Sequence, residues 1–293
     1  MTTDVLHALT DSSQKQYLTH WKRFSVFTAD ILKLATPLLS TQHHLALYVT
    51  HLHNLDNKAQ FIRSQLSSIT FYFNLYGYES PCNSFHTDKL LQSYSRTDPP
   101  VGIRKPVTKQ LLHQIMQEVP QHAQSTNESH MLQSLFSLMY HALLRVSEVT
   151  TSTQNKHNLK PTQIKVRPKE LHITFYSYKF SKPIPKVIAV KRHKRTCPIK
   201  HYTQYSNIAN NGRSSAFTHS DDKQLTPAYI RRTLRAILTS LQYNPNHYNT
   251  HSFRIGKATD MYKSGHSDTS IMLAGRWTSA AFKKYIKPQI IRF

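Results

Sequence analysis

Two cysteines in 293 residues, Cys82 and Cys197, stand far apart and form no CxxC pair. Neither a disulfide framework nor a zinc knuckle can be built from them, and a reducing compartment fits best. No run of about 18 apolar residues occurs, and the opening MTTDVLHALT carries no cationic stretch leading into an apolar core. The expectation is a soluble intracellular protein with no secretion signal and no membrane span. Acidic residues are scarce as well: 15 Asp plus Glu face 38 Lys plus Arg, a formal net charge of +23. That excess goes far beyond what solubility needs and makes a polyanion, nucleic acid first, the leading partner.

The scarcity of acids also bears on chemistry. Residues 1–106 hold 10 Lys/Arg and 7 Asp/Glu, whereas residues 107–293 hold 28 and 8, a net of +20. Cutting nucleic acid with two metals needs clustered carboxylates. In the basic half only Asp221 and Asp222 are adjacent, in a loop-like stretch. His43, His44, His51 and His53 have no cysteine partners and lie in the less basic half, so they read as solvated or structural residues. No metal and no cofactor are expected.

The length exceeds what one core normally fills, and 39% hydrophobic residues suffice for two. The turn-rich stretch 95–106, with three prolines, divides the chain into a helical domain 1–98, a linker 99–106 and a second domain 107–293. In the first domain, Ser12 or Ser13 can cap a helix whose Tyr17, Trp21, Phe24 and Phe27 form one aromatic stripe ending near Asp30. Leu45, Tyr48, Val49 and Leu52 repeat the helical period, and Phe61, Gln65, Ser68, Ile69 and Tyr72 share a face whose small members admit a close neighbour. About four helices are expected in this domain.

In the second domain Thr108 can cap a helix through Leu111, Leu112, Ile115 and Met116, and 131–144 reads as a longer apolar helix ending at Arg145. Residues 171–178 alternate and are rich in β-branched and aromatic types; with 186–190 they form a β-hairpin or small sheet. Thr226 and Pro227 start another helix with Ile230, Leu234, Ile237, Leu238 and Leu241 on its inner face. The fold class is mainly α with a small β-hairpin or sheet in the second domain.

Basic residues can themselves be the catalytic machinery. A phosphodiester transition state gathers negative charge on its non-bridging oxygens, and guanidinium groups bond there bidentately without losing a proton. Arg145 follows the apolar residues Leu135, Met139 and Leu143, and Arg254 lies three residues after His251, on the same helical face. Trp277 then stands eight residues before Tyr285. The run 191–195, Lys-Arg-His-Lys-Arg, admits three readings: a phosphate contact, a nuclear import signal, or a charged edge strand protected from aggregation.

The order Leu-Leu-Arg145-Val-Ser-Glu148, His251-x-x-Arg254, Gly-Arg-Trp277 and Tyr285 resembles the tyrosine recombinases, the DNA breaking and rejoining enzymes related to phage integrases. The segments from His251 to Thr259 and from Gly275 to Ile286 are most similar to recombinases of Crypton elements and DIRS-type retrotransposons. The resemblance implies a helical, SAM-like core-binding domain followed by a catalytic domain, together clamping duplex DNA. It implies that Tyr285 is the nucleophile forming a 3′-phosphotyrosyl intermediate, that Arg145 and Arg254 hold the phosphate, and that His251 assists proton transfer. Trp277 stands where many relatives have histidine; it can donate its indole N–H to phosphate but cannot act as a base. A hairpin lysine would protonate the leaving 5′ oxygen: Lys179, with Lys182 as the rival. Glu148 would orient basic side chains. A homo-tetramer on two double-stranded DNA sites and a nuclear location are implied as well. Only residues 286–293 follow Tyr285, so the family's C-terminal exchange helix is expected to be shortened or absent. The alternatives are a domesticated, catalytically silent DNA-binding protein and a type IB topoisomerase-like activity.

Overall fold

The computed structural model describes residues 2–99, 104–151, 158–176, 184–209, 212–219, 221 and 223–286. The chain forms two compact units, residues 1–101 and 102–293. Both are mainly helical, and the second holds a three-stranded antiparallel sheet.

The first unit contains α1 (Thr2–His7), α2 (Asp11–Asp30), α3 (Gln42–Asn54), α4 (Ala59–Leu75) and α5 (Phe85–Thr97). The cap of α2 is Thr10, not Ser12 or Ser13: its extended backbone lets its hydroxyl accept from the Ser13 N–H at 3.3 Å. The aromatic stripe sorts by depth. Phe24 and Phe27 are buried against Tyr48, while Trp21 is half-buried and stacks on Tyr72 at 4.9 Å. On α4, Gln65, Ser68, Ile69 and Tyr72 point inward as expected, but Phe61 is exposed and edge-on to His20. Ile62 and Leu66 fill the inner face beside those four, so the buried stripe is broader than expected and takes in Ile62 instead of Phe61. Ser68 accommodates the close approach of α2, since His20 Nδ1 lies 2.8 Å from its Oγ. Three of the four clustered histidines have structural work: His44 closes a capping box with Thr41, His51 packs on Phe27 at 4.9 Å, and His53 stacks on Tyr94 at 3.6 Å.

The second unit begins with α6 (Lys109–His122), capped by Thr108, and the largely buried α7 (Thr126–His141). α7 stops at His141, short of the expected Leu144, because Leu143 is left-handed at φ 48°. Arg145 is therefore not a helix C-terminus but the N-cap of the short α8 (Val146–Val149). The sheet order is β1 (Ile164–Val166), β2 (Glu170–Phe175), β3 (Lys186–Lys191), with Ile164 opposite Ile173, Glu170 opposite Lys191 and Phe175 opposite Lys186. With three residues, β1 offers too little alternation to be read from sequence. Next come α9 (Pro198–Ile208), α10 (Pro227–Ser240), α11 (His251–Lys263), α12 (Asp268–Gly275) and a 3-10 turn, Ala280–Tyr285. The main core joins α6, α7, the sheet, α9, α10 and Phe253; a smaller one joins Leu143, Ala258, Met261, Ile271 and Phe282.

α11 lies against the start of its own unit. The Val107 N–H donates to the Ser252 carbonyl at 3.0 Å, and a Cβ on Gly256 would stand 1.8 Å from the Val107 carbonyl oxygen. The obstacle is backbone and cannot rotate away. Gly256→Ala is expected to destabilise the unit by about 3 kcal/mol, read as a lower thermal midpoint; an unchanged midpoint would contradict this packing.

Candidate active site

The site is built around the kink at the end of α7. Carbonyls freed where a helix ends need new donors, and here guanidinium groups supply them. Arg276 donates from Nη1 to the Ala142 carbonyl at 3.2 Å and from Nη2 to the Leu143 carbonyl at 3.1 Å. Arg254, on α11, donates from Nη1 to the same Leu143 oxygen and from Nη2 to the Gly275 carbonyl at 2.9 Å. Arg254 is fully buried, and burial first, then the charges of Arg145 and Arg276, push its guanidinium below the ordinary arginine range. A guanidinium still keeps its proton, so the charge stays in place.

Around Arg254 gather the other expected residues. Its guanidinium carbon lies 4.6 Å from the centre of the Trp277 ring and 5.7 Å from that of Tyr285. The Trp277 and Tyr285 rings are 5.0 Å apart, and His251 meets Tyr285 edge-on at 6.3 Å. The helical spacing of His251 and Arg254 on α11 thus delivers both to one tyrosine. The 3-10 turn carrying Tyr285 is held by the buried Phe282 and by the Thr259 hydroxyl, which donates to the Tyr285 carbonyl at 3.3 Å. Gly275 lets Trp277 lie flat on the chain: a Cβ there would stand 1.7 Å from the indole ring.

On the other flank Glu148 joins two arginines. Its carboxylate accepts from Arg145 Nη1 at 3.1 Å and from the Arg145 backbone N–H at 2.8 Å, and it meets Arg276 Nη2 at 2.7 Å. Glu148 and Arg276 are buried, while the Arg145 side chain keeps 15% of its surface exposed. Burial alone would raise the Glu148 carboxyl, but Arg276, Arg145 and Arg254 together outweigh it and hold it below the usual range.

Arg145, His251, Arg254, Trp277 and Tyr285 thus share one site, with Glu148 oriented between guanidinium groups. Lys179 and its rival Lys182 lie outside the described residues. Arg276 was legible only as a letter between Gly275 and Trp277, since nothing in its spacing marks it as buried. The sequence marks Lys186 only as a strand residue. It sits opposite Phe175, whose ring lies 4.1 Å from the Arg276 guanidinium, and its ammonium is lowered by burial and by Arg276. Among the described residues no three or more His, Cys, Asp or Glu side chains gather as a metal-binding group.

A helical domain followed by a mainly helical unit that gathers an arginine, a histidine and a tryptophan around a tyrosine, with a second arginine linked through Glu148, is the arrangement of the tyrosine recombinase class. Solved structures agree on the fold. XerH site-specific recombinase, bound to its palindromic difH substrate after cleavage, superposes with a TM-score of 0.66 at 11% identity over 92% of this chain and 73% of its own. A lambda integrase dimer bound to a COC′ core site gives 0.63 at 12% identity over 97% and 75%. The Tn1549 transposon integrase with circular intermediate DNA gives 0.58 at 9% identity over 86% and 82%. No curated protein matches in sequence. Residues 105–288 match the phage integrase family, and the chain belongs to it.

Proposed function

We propose that this protein breaks and rejoins duplex DNA through Tyr285. The observation that carries the reading is the convergence of His251, Arg254 and Trp277 on that one tyrosine ring. In the proposed step the Tyr285 oxygen attacks the scissile phosphorus, a 3′-phosphotyrosyl ester forms, and the bond to the 5′ oxygen breaks. The ester conserves the bond energy, so rejoining needs neither a nucleotide cofactor nor a ligase. Arg145 and Arg254 stabilise charge on the non-bridging oxygens, His251 assists the proton leaving Tyr285, and Trp277 donates its indole N–H. The hairpin lysine, Lys179 in our reading, protonates the departing 5′ oxygen.

The substrate in this reading is the end of a Crypton- or DIRS-type mobile element, which the protein integrates or excises as a homo-tetramer on two sites in a nucleus. The motif segments around His251 and Trp277 support it. The test is a nicked suicide substrate carrying such ends, incubated with the full chain and a metal chelator. A covalent protein–DNA band followed by joining of two sites is expected; relaxation of supercoiled DNA without site preference would favour the topoisomerase reading instead.

The run 191–195 supports a DNA backbone contact. Lys191 ends the edge strand β3, and Lys191, Arg192, Lys194 and Arg195 are exposed, while the His193 ring turns in and stacks on His141 at 4.0 Å. A segment pinned by its middle residue is poorly suited to being drawn out as an import peptide. Arg167, Lys169, Lys191 and Arg192 line one cleft with Glu170 as its acid, and Arg192 Nη2 donates to the Pro168 carbonyl at 3.2 Å. Replacing Lys191 and Arg192 by alanine is expected to reduce the slope of log affinity against log salt by about two. An unchanged slope would remove this corner from the interface.

A further inference from the structure

Arg276 stands out as a residue whose backbone and side chain are both costly. Its φ of 55° is left-handed, a region favouring glycine, yet the position carries one of the largest fully buried side chains of the protein. The side chain spends its donors on two helix-end carbonyls and on Glu148, and its planar face rests on Phe175. Arg145 also holds Glu148, and Arg254 shares the Leu143 carbonyl with Arg276. Two guanidinium groups therefore hold one carboxylate, and a third, sharing the Leu143 carbonyl with Arg276, adds its charge nearby.

We propose that Arg276 is a positioning residue that neutralises Glu148, so that Arg145 and Arg254 keep their full positive charge for the scissile phosphate. Without Arg276, the Glu148 carboxylate would be balanced by Arg145, and the phosphate would face one net positive charge where it now faces two. Glu148 cannot simply be absent, because it accepts the Arg145 backbone N–H and orients that guanidinium. A carboxylate is thus needed for geometry, and Arg276 cancels its charge. The inference rests on the recombinase reading for its chemistry. Its electrostatics rest on the contacts themselves.

The test uses the full chain with Arg276→Met, Glu148→Gln and the double variant. Arg276→Met is expected to slow single-turnover covalent adduct formation about a hundredfold at neutral pH. The rate should recover as the solution is acidified, because removing Arg276, the largest of the three charges that hold the Glu148 carboxyl down against burial, lets that carboxyl take up a proton more readily. Arg145, Arg254, Lys186, His251 and Tyr285 are the other titratable groups around this site, and His251, by becoming charged in acid, could itself alter the profile. The double variant separates the two: with no carboxylate to titrate, it should regain most of the neutral-pH rate and lose the acid recovery. Arg276→Gly, which suits the left-handed backbone, controls for folding, and thermal midpoints are recorded for each variant. A deficit in Arg276→Met that is equal at every pH and untouched by Glu148→Gln would overturn the proposal, as would a wild-type rate.

A second readout needs no cleavage. Binding is compared for nicked DNA carrying a phosphate or an uncharged methylphosphonate at the scissile position. The wild-type preference for the charged form should shrink in Arg276→Met and return in the double variant. A preference that does not change across the variants would overturn the proposal even if the wild type forms no adduct, a result that would count against the recombinase reading alone.

Discussion

Tyr285→Phe is expected to abolish the covalent protein–DNA adduct while leaving DNA affinity and thermal midpoint essentially unchanged. The substitution removes one oxygen and keeps the ring that Trp277, His251 and Arg254 surround. The bond from Thr259 goes to the Tyr285 backbone carbonyl, so it survives as well. What disappears is the hydroxyl that the proposed reaction uses as its nucleophile. An adduct that persists in Tyr285→Phe would assign the attack to another residue. If neither protein forms the adduct while both bind DNA equally, the silent DNA-binding alternative becomes the better account, with the gathered site as a relic.

Arg254→Lys should cost about a hundredfold to a thousandfold in the rate of adduct formation and roughly 2 to 4 kcal/mol in stability. The guanidinium, fully buried, satisfies the Leu143 and Gly275 carbonyls at once, and in the proposed step the N–H groups that neither carbonyl takes face the phosphate. An ammonium on a flexible stem cannot hold both carbonyls in that planar geometry; Leu143 keeps its bond from Arg276, so the acceptor at stake is the Gly275 carbonyl. Arg145→Lys provides the contrast. That side chain is partly exposed and tied mainly to Glu148, so the rate should fall by a similar factor with a much smaller loss of midpoint. Rates within about threefold of wild type for Arg254→Lys would take Arg254 off the phosphate, since removing a preorganised donor costs far more than that.

How much of this could be read in advance follows from what each signal records. The His251/Arg254 face was legible because helical spacing fixes which residues point the same way. The helix caps at Thr108 and Thr226 were legible for the same local reason. The end of α7 was misread because the apolar run continues through Leu144 while the backbone turns at Leu143, and hydrophobicity does not report φ. Phe61 was assigned to the core because it is large and in phase, although Ile62 is the residue that faces inward. Glu148 was read as an orienting group, but its second partner was out of reach: Arg276 lies 128 positions away, and no local pattern links them. Motif order identified the residues; only tertiary structure supplied the charge balance among them.

The carbonyl end of α7 has a consequence for when the proposed DNA-breaking activity can arise. Arg254 and Arg276 reach the Leu143 carbonyl across 111 and 133 positions of chain. Contacts so distant in sequence close late, after the loop entropy they cost has been offset by the rest of the core. A chain still emerging from the ribosome, with α11 and Arg276 not yet made, has Arg145 beside an unfilled socket and lacks the site on which the proposed activity depends. On the proposed reading, the capacity to break a strand is thereby tied to completion of the fold, and an immature chain is disarmed by its own topology.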